Sequence, residues 1–256
     1  MIIFLDFRRS AVRFFLNSLR WLLGKRLPLI ARILDPNARV FYSQEGEDAI
    51  LARLFSAQKN GFYVDVGAHH PRRFSNTFHF YQSGWTGINI EPNPSAEAVF
   101  KKQRPRDINL CVGVSDCPEK LVYYEFNDPA LNTFDSDLAQ SRDETVVYTI
   151  LTTREVNVER LDSILEKHLP FGVDIDFMSI DVEGLDLKVL MSNDWVKYRP
   201  KCVLVECLLH EISFEYIQNS DVYSFLMSKG YVFFAKTYNS FLFVEKKFAE
   251  LKVLTN

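Results

Sequence analysis

The chain has 256 residues, enough for one large α/β domain with a full hydrophobic core. Its 47% hydrophobic and 25% charged residues are ordinary globular values, and a net charge of −3 argues against a nucleic-acid partner, since such binders are usually basic. Four cysteines (Cys111, Cys117, Cys202, Cys207) form no C-x-x-C pair and have no histidine at metal spacing, so they read as reduced thiols of a cytoplasmic protein, not as a zinc site.

The charge is uneven. Residues 1–34 carry seven Arg and Lys against the single acid Asp6, a local +6 that leaves −9 for the remainder. At 100° per residue, Arg9, Ser10, Arg13, Asn17, Arg20 and Gly24 fall in one arc, with Phe14, Phe15, Leu19, Trp21 and Leu22 among the apolar residues around the rest. Residues 1–36 are therefore expected to form a basic amphipathic helical arm, ended by Pro28 and Asp35-Pro36. Such an arm suits either a peripheral membrane contact, at the inner face of the membrane, or packing in a homodimer. No charge-free run approaches the roughly 18 residues of a membrane span. The charged start lacks a small-residue cleavage site, which argues against a signal peptide.

Residues 37–256 read as one domain. Ser43 precedes Gln44, Glu45, Glu47 and Asp48 and the helical run Ala49–Phe55. Acids in a first helical turn suit the helix dipole. So many polar groups in so few residues exceed what a cap needs, which makes Gln44, Glu47 and Asp48 candidates to face a substrate. The strand Phe62–Val64 ends at Asp65, and the turn Val66-Gly67-Ala68 leads into His69-His70-Pro71. A helix starts after Ser75-Asn76-Thr77, and the strand Gly87–Ile90 ends at Glu91, 24 residues after Gly67. Glu91-Pro92-Asn93-Pro94 leads into a helix, Ser95–Lys102. The strand Ile108–Val114 ends at Ser115-Asp116. Leu121–Phe126 and Thr145–Ile150 read as strands by β-branched and aromatic content. Between them Asn127–Glu144 is polar and is expected to be a mobile loop. After the helix Leu161–His168, the strand Ile175–Ile180 ends at Asp181-Val182-Glu183-Gly184, and the helix Leu185–Met191 follows. Cys202–Val205 ends at Glu206. A helix from Asp221 to Lys229 and a hairpin, Tyr231–Ala235 with Ser240–Val244, close the chain. The alternation predicts a mixed α/β sheet with helices on both faces.

Ligands of open α/β sheets bind outside the carboxyl ends of the strands. Acids stand there after five strands: Asp65, Glu91, Asp116, Asp181 and Glu206. A cleft so lined suits a cationic ligand and ribose hydroxyls. The glycine allows close approach, and the acid beyond it can accept from two hydroxyls.

The run Asp65-Val66-Gly67-Ala68-His69-His70-Pro71, with Ser43-Gln44, Phe74-Ser75-Asn76-Thr77, Gly84-Trp85, Ile88–Pro94, Val112–Ser115 and Ile180-Asp181-Val182-Glu183-Gly184, resembles the FkbM family of S-adenosylmethionine (SAM)-dependent methyltransferases. The likeness covers about residues 41–208. It implies a class I, Rossmann-like fold with seven strands and an antiparallel closing strand, and O-methylation of a hydroxyl on a sugar, glycan or polyketide-type product. By the same resemblance, Asp65, Gly67 and Ala68 lie under the amino-acid part of SAM, Glu91 holds the ribose, and Asn93 lies beside it. Ser115 and Asp116 flank the adenine, and Asp181 and Glu183 stand near the methyl group and its acceptor. S-adenosylhomocysteine (SAH) is the implied product. The chain departs from the fuller glycine-rich pattern, since Gly67 is the only glycine of its loop.

A sugar hydroxyl is a weak nucleophile and gains from a base. Asp181 is the first candidate, because it ends the central strand. Glu183, His69, His70, His79 and Glu47 are the others, with His69, His70 and Asn76 also placed to meet substrate. Asp181 can alternatively orient the SAM amine, and Glu183 can serve only the helix dipole. Asp181, Glu183 and Glu206 can hold a divalent metal, although nothing in the spacing requires one. Other readings are an N-directed or non-sugar acceptor, and a non-catalytic membrane-associated protein that keeps only the fold. A nicotinamide oxidoreductase is argued against by Gly67-Ala68-His69-His70-Pro71-Arg72, where G-x-G-x-x-G is needed.

Overall fold

The computed structural model describes residues 33–207 and 213–254. Contacts divide the chain into two units, residues 1–41 and 42–256. In the first unit, Asp35 turns the chain by accepting the N–H groups of Asn37 and Ala38. The basic arm as far as residue 32 lies outside the described residues. None of the described helices is long and apolar enough to cross a membrane.

In the second unit α1 (Glu47–Leu54) leads to β1 (Phe62–Val66), α2 (Phe78–Gln82), β2 (Thr86–Ile90), α3 (Pro94–Gln103) and β3 (Ile108–Leu110). Then come β4 (Gly113–Val114), β5 (Glu119–Phe126), a 3-10 turn at Pro129–Leu131, α4 (Ser136–Asp143) and β6 (Ile150–Glu159). The chain continues through α5 (Leu161–His168), β7 (Phe177–Ile180), α6 (Asp186–Met191), β8 (Cys202–Glu206), α7 (Phe214–Gln218) and α8 (Asp221–Ser228). It closes with β9 (Tyr231–Lys236), β10 (Ser240–Glu245) and α9 (Lys246–Leu254).

Seven strands form the main sheet in the order β3-β2-β1-β7-β8-β10-β9. β10 is antiparallel to both neighbours, and the pairings among β1, β2, β3, β7 and β8 are all parallel. This is the expected class I, Rossmann-like sheet, with the last strand inserted between β8 and β9. β1, β7 and β8 are buried along their length because helices cover both faces, so their side chains are apolar in both registers except for Asp65, Ser179 and Glu206 toward their carboxyl ends. On one face Val64, Ile88, Met178, Val203 and Phe241 pack with Leu161, Leu165 and Leu226. On the other, Tyr63, Phe177, Leu204 and Leu242 pack with Leu51, Phe55, Phe80 and Trp85.

Register then places the polar groups. Asp65 pairs with Ser179, and Ser179 with Leu204. Side chains two residues on return to the same face. Gly67, Asp181 and Glu206 are thus the next row, on the face covered by α1 and α2. The Asp181 N–H donates to the Val66 carbonyl at 3.0 Å, carrying the β1–β7 pairing one residue past the strand ends.

Three sequence expectations need correction. The strand expected over 108–114 is two short strands, β3 in the main sheet and β4 in a three-stranded sheet, β4-β6-β5. The strand expected at Thr145–Ile150 begins only at Ile150 and runs to Glu159. Thr145 instead closes α4: its hydroxyl donates to the Arg142 carbonyl and accepts from the Tyr148 N–H. Val146 and Val147 stay exposed. The expected loop 127–144 holds the 3-10 turn and α4, whose N-cap Asp135 accepts from the N–H groups of Asp137 and Leu138.

Candidate functional site

The carboxyl ends of β1, β2, β7 and β8 open into a cavity of about 340 Å³. Its floor is the glycine turn. Gly67 has φ 78°, and a Cβ there would overlap the Asp181 carbonyl, so only glycine lets β1 and β7 close at this point. The N–H groups of Gly67 and Ala68 both donate to the Ile90 carbonyl. His69 follows at φ 49°, with its N–H donating to Glu91 Oε2 at 2.7 Å. The N–H of Asn93 donates to Glu91 Oε1 at 2.9 Å. Glu91 is thus locked to both turns that flank it. Burial pushes its carboxyl up to about 7, against the pull of those two N–H groups.

Asp65 is held from behind. The Thr77 hydroxyl donates to its Oδ2 at 2.6 Å, and Thr77 accepts from Arg104, a guanidinium buried without exposure. Arg104 also pairs with Asp107 and donates to the Tyr63 hydroxyl and the Pro71 carbonyl. Burial raises Asp65 to about 6, and the Thr77 hydrogen bond opposes the shift.

At the far end, Asp186 folds the Asp181–Gly184 turn by accepting the N–H groups of Val182 and Gly184. Glu183 sits at φ 55°, its carbonyl accepting from the Thr133 hydroxyl at 2.6 Å and its carboxylate paired with Arg142. Asp181 faces the cavity, with a carboxylate oxygen within 4.8 Å of oxygens of both Glu183 and Glu206. Burial, and then the charges of Glu183 and Asp186, push Asp181 well above the usual carboxylate range. Burial and the Asp181 charge do the same to Glu206. His69, Phe74 and Glu183 are the non-glycine residues with left-handed backbone among those described, and all three line the cavity. That is where backbone strain tends to be kept.

Of the sequence candidates, the cavity brings together Gln44, Asp65, Gly67, Ala68, His69, Asn76, Glu91, Asp181 and Glu183. Glu47 lines a smaller depression beside it with Gln44, Asn76, Asp181 and Glu206, and accepts from the Thr237 hydroxyl at 2.9 Å. The remaining candidates lie outside the lining, engaged locally. Asp48 closes its own loop by accepting from the Tyr42 N–H and the Ser43 hydroxyl, at 2.6 Å each. His70 Nδ1 accepts from the N–H groups of Arg72 and Arg73. Asn93 caps α3. Ser115 and Asp116, expected beside adenine, are not among the residues that line the cavity: the Ser115 N–H donates to the Glu159 carbonyl, and the Asp116 carbonyl accepts from Arg160. Val112 and Val114 line the cavity instead. His79 lies on α2, outside the lining.

Sequence reading missed Thr77, Arg104, Tyr123, Arg142, Asp186 and Asn239. Asp186 carried a signal, as a short acid in the first turn after Asp181-Val182-Glu183-Gly184. Asn239 carried none, because only the β10 insertion brings it to the Gln44 loop, where its N–H donates to Glu45 at 2.8 Å.

A family model described as "Methyltransferase FkbM domain" matches residues 65–233, from the acid that ends β1 into β9. The chain belongs to the FkbM methyltransferase family. It is a SAM-dependent methyltransferase, as the motif resemblance implied. No curated protein matches the chain. Among solved structures, a TehB-like SAM-dependent methyltransferase from Corynebacterium glutamicum is 10% identical, with a TM-score of 0.38 over 90% of this chain and 100% of that one. An O-methyltransferase from Bacillus cereus in complex with SAH is 13% identical, with a TM-score of 0.38 over 86% of this chain and 88% of the other. These likenesses are loose, and the strand order itself defines the fold of this methyltransferase.

Proposed function

We propose that this methyltransferase transfers the methyl group of SAM to a hydroxyl oxygen, most naturally one on a sugar or glycan. The observation that carries this reading is the row Gly67–Asp181–Glu206. It sets two neighbouring carboxyl groups directly beside the glycine turn, inside one cavity.

In this reading Asp65 and the turn Gly67–His69 take the amino-acid part of SAM. Glu91 accepts from the ribose hydroxyls, and Val112 and Val114 meet the adenine. The sulfonium then approaches Asp181, where an acidic wall suits its charge. The acceptor enters between Gln44, Phe74, Asn76 and Asn239. Phe74 is 39% exposed and offers a flat apolar face beside amide groups, a combination that suits a sugar ring with its hydroxyls. The acceptor oxygen bonds to the methyl carbon as the S–CH3 bond breaks, and the bonding pair stays on sulfur to give SAH. The hydroxyl proton passes to the Asp181 carboxylate when that group is ionised. His69 lines the same cavity, but burial holds its imidazole down at about 4, which makes it a weaker acceptor of that proton than a carboxylate raised by burial. Most of the acceleration comes from holding oxygen, carbon and sulfur in line.

The test is transfer of labelled methyl from SAM into fractionated polysaccharide, glycolipid and small-metabolite pools. Label recovered as an alkali-stable methyl ether of a sugar supports the reading. Label found only on nitrogen overturns it. The +6 charge of residues 1–34 supports bringing the enzyme to an anionic membrane or to a second copy, which liposome flotation and sedimentation of the shortened chain distinguish.

A further inference from the structure

The cavity floor holds more negative charge than its cations answer. Asp181, Glu183 and Glu206 each bring a carboxylate oxygen within 4.8 Å of the others. Of the two arginines in the lining, Arg142 pairs with Glu183 and Arg73 is held by both oxygens of Asp128. Neither reaches Glu206. That residue is 7% exposed, it lines both the cavity and the adjoining depression, and its Oε2 is buried with no hydrogen-bond partner among the described residues. A buried carboxylate oxygen without a donor is costly, and is rarely left so unless something else binds there.

The geometry points to a divalent-cation site formed by Asp181, Glu183 and Glu206, with Glu206 Oε2 as its innermost ligand. An all-oxygen set suits the hard cations Ca²⁺, Mn²⁺ and Mg²⁺. Oxygens about 2.1–2.6 Å from one Mg²⁺ or Ca²⁺ ion lie no more than about 5 Å apart, so three carboxylate oxygens within 4.8 Å of one another are close enough for a single ion to reach. The left-handed turn at Glu183 serves this arrangement, because Thr133 and Asp186 fix the backbone so that the carboxylate lies over the floor and not along α6. Three protein ligands leave coordination positions open to the cavity. This deepens the methyl-transfer reading and rests on it: the ion's open positions face the space assigned to the acceptor oxygen.

Paramagnetic resonance titration with Mn²⁺ on the full chain, stripped with chelator, tests the site with and without SAH, whose own binding is followed by calorimetry. We expect about one Mn²⁺ per chain, displaced by Ca²⁺, and Mn²⁺ affinity at least about tenfold weaker in both Glu206→Gln and Asp181→Asn, each checked for folding by circular dichroism. A protein that binds SAH but takes up no Mn²⁺, or takes it up equally well in both variants, overturns the metal site alone. Failure of SAH and Mn²⁺ binding together overturns the donor-site reading as well.

Discussion

The floor and the roof of the cavity are built on different principles. The floor consists of strand ends. Asp65, Gly67, Asp181 and Glu206 stand where they do because β1, β7 and β8 pair in one register, and a slip of one residue turns each to the opposite face. The roof consists of connections. Residues 127–149 and the Ser43–Asp48 loop are held by their own caps and turns, and each ties down at a few points: Thr133 to Glu183, Arg142 to Glu183, Glu45 to Asn239. A floor set by cooperative pairing tolerates little change, whereas a roof set by local hydrogen bonds can vary to fit different acceptors. Donor binding should therefore fail with the floor, and acceptor preference should change with the roof.

The largest effect is expected from Gly67→Ala. The substitution meets both a left-handed backbone and the Asp181 carbonyl, and should cost at least about 2–3 kcal/mol of stability and abolish SAH binding. Denaturant unfolding with calorimetry measures both, and a variant that binds SAH normally would show the floor to be softer than its register implies. Next, Asp181→Asn should lower turnover by about 100-fold or more. Its SAH affinity, measured in chelator, should stay within a few-fold. Equal losses in both would place Asp181 with the donor alone.

Acidity provides a third comparison. Asp65 and Glu91 are raised from 3.8 and 4.5 to about 6 and about 7. Acids shifted upward favour the folded state while protonated, so this contribution is full below their unfolded values and is gone once pH has risen through the folded values, about 6 and about 7. The ligand-free protein should therefore lose thermal stability from about pH 4 to pH 7 and level off above, by up to roughly 1.4 kcal/mol per pH unit for each group that is protonated when folded and ionised when unfolded. SAM should restore more stability at the upper end. In Glu91→Gln the decline should be shallower, and an unchanged slope would remove Glu91 as its source.

The smallest effect belongs to the roof. Asp135→Ala removes the α4 cap and should cost about 1 kcal/mol. It should raise KM for the acceptor and leave SAH affinity unchanged, and a matching loss of SAH affinity would erase the division between floor and roof.

The same division explains how much the sequence disclosed. Asp65, Gly67, Glu91 and Asp181 were legible because an acid or glycine at the end of an apolar strand has few other uses. The neighbour relations β1–β7–β8 and the insertion of β10 were not legible, because they depend on pairings between distant segments. Asp48, His70 and Asn93 show the limit for polar residues near helix starts, since a cap and a ligand contact have the same local signature. Thr145–Val147 had strand composition, but residues with no partner strand remain outside a sheet whatever their propensity.

The position of β10 bears on how this enzyme is made. Its partner β8 ends in Glu206, which pairs with Ser240, and the turn before β10 holds Glu45 and Glu47 through Asn239 and Thr237. Until that last strand is synthesised, β8 is an open edge of apolar residues, Val203 to Val205, with unpaired backbone groups. A nascent chain that has already made every acid of the floor still presents that edge, the kind of surface that pairs with other chains, until the hairpin covers it.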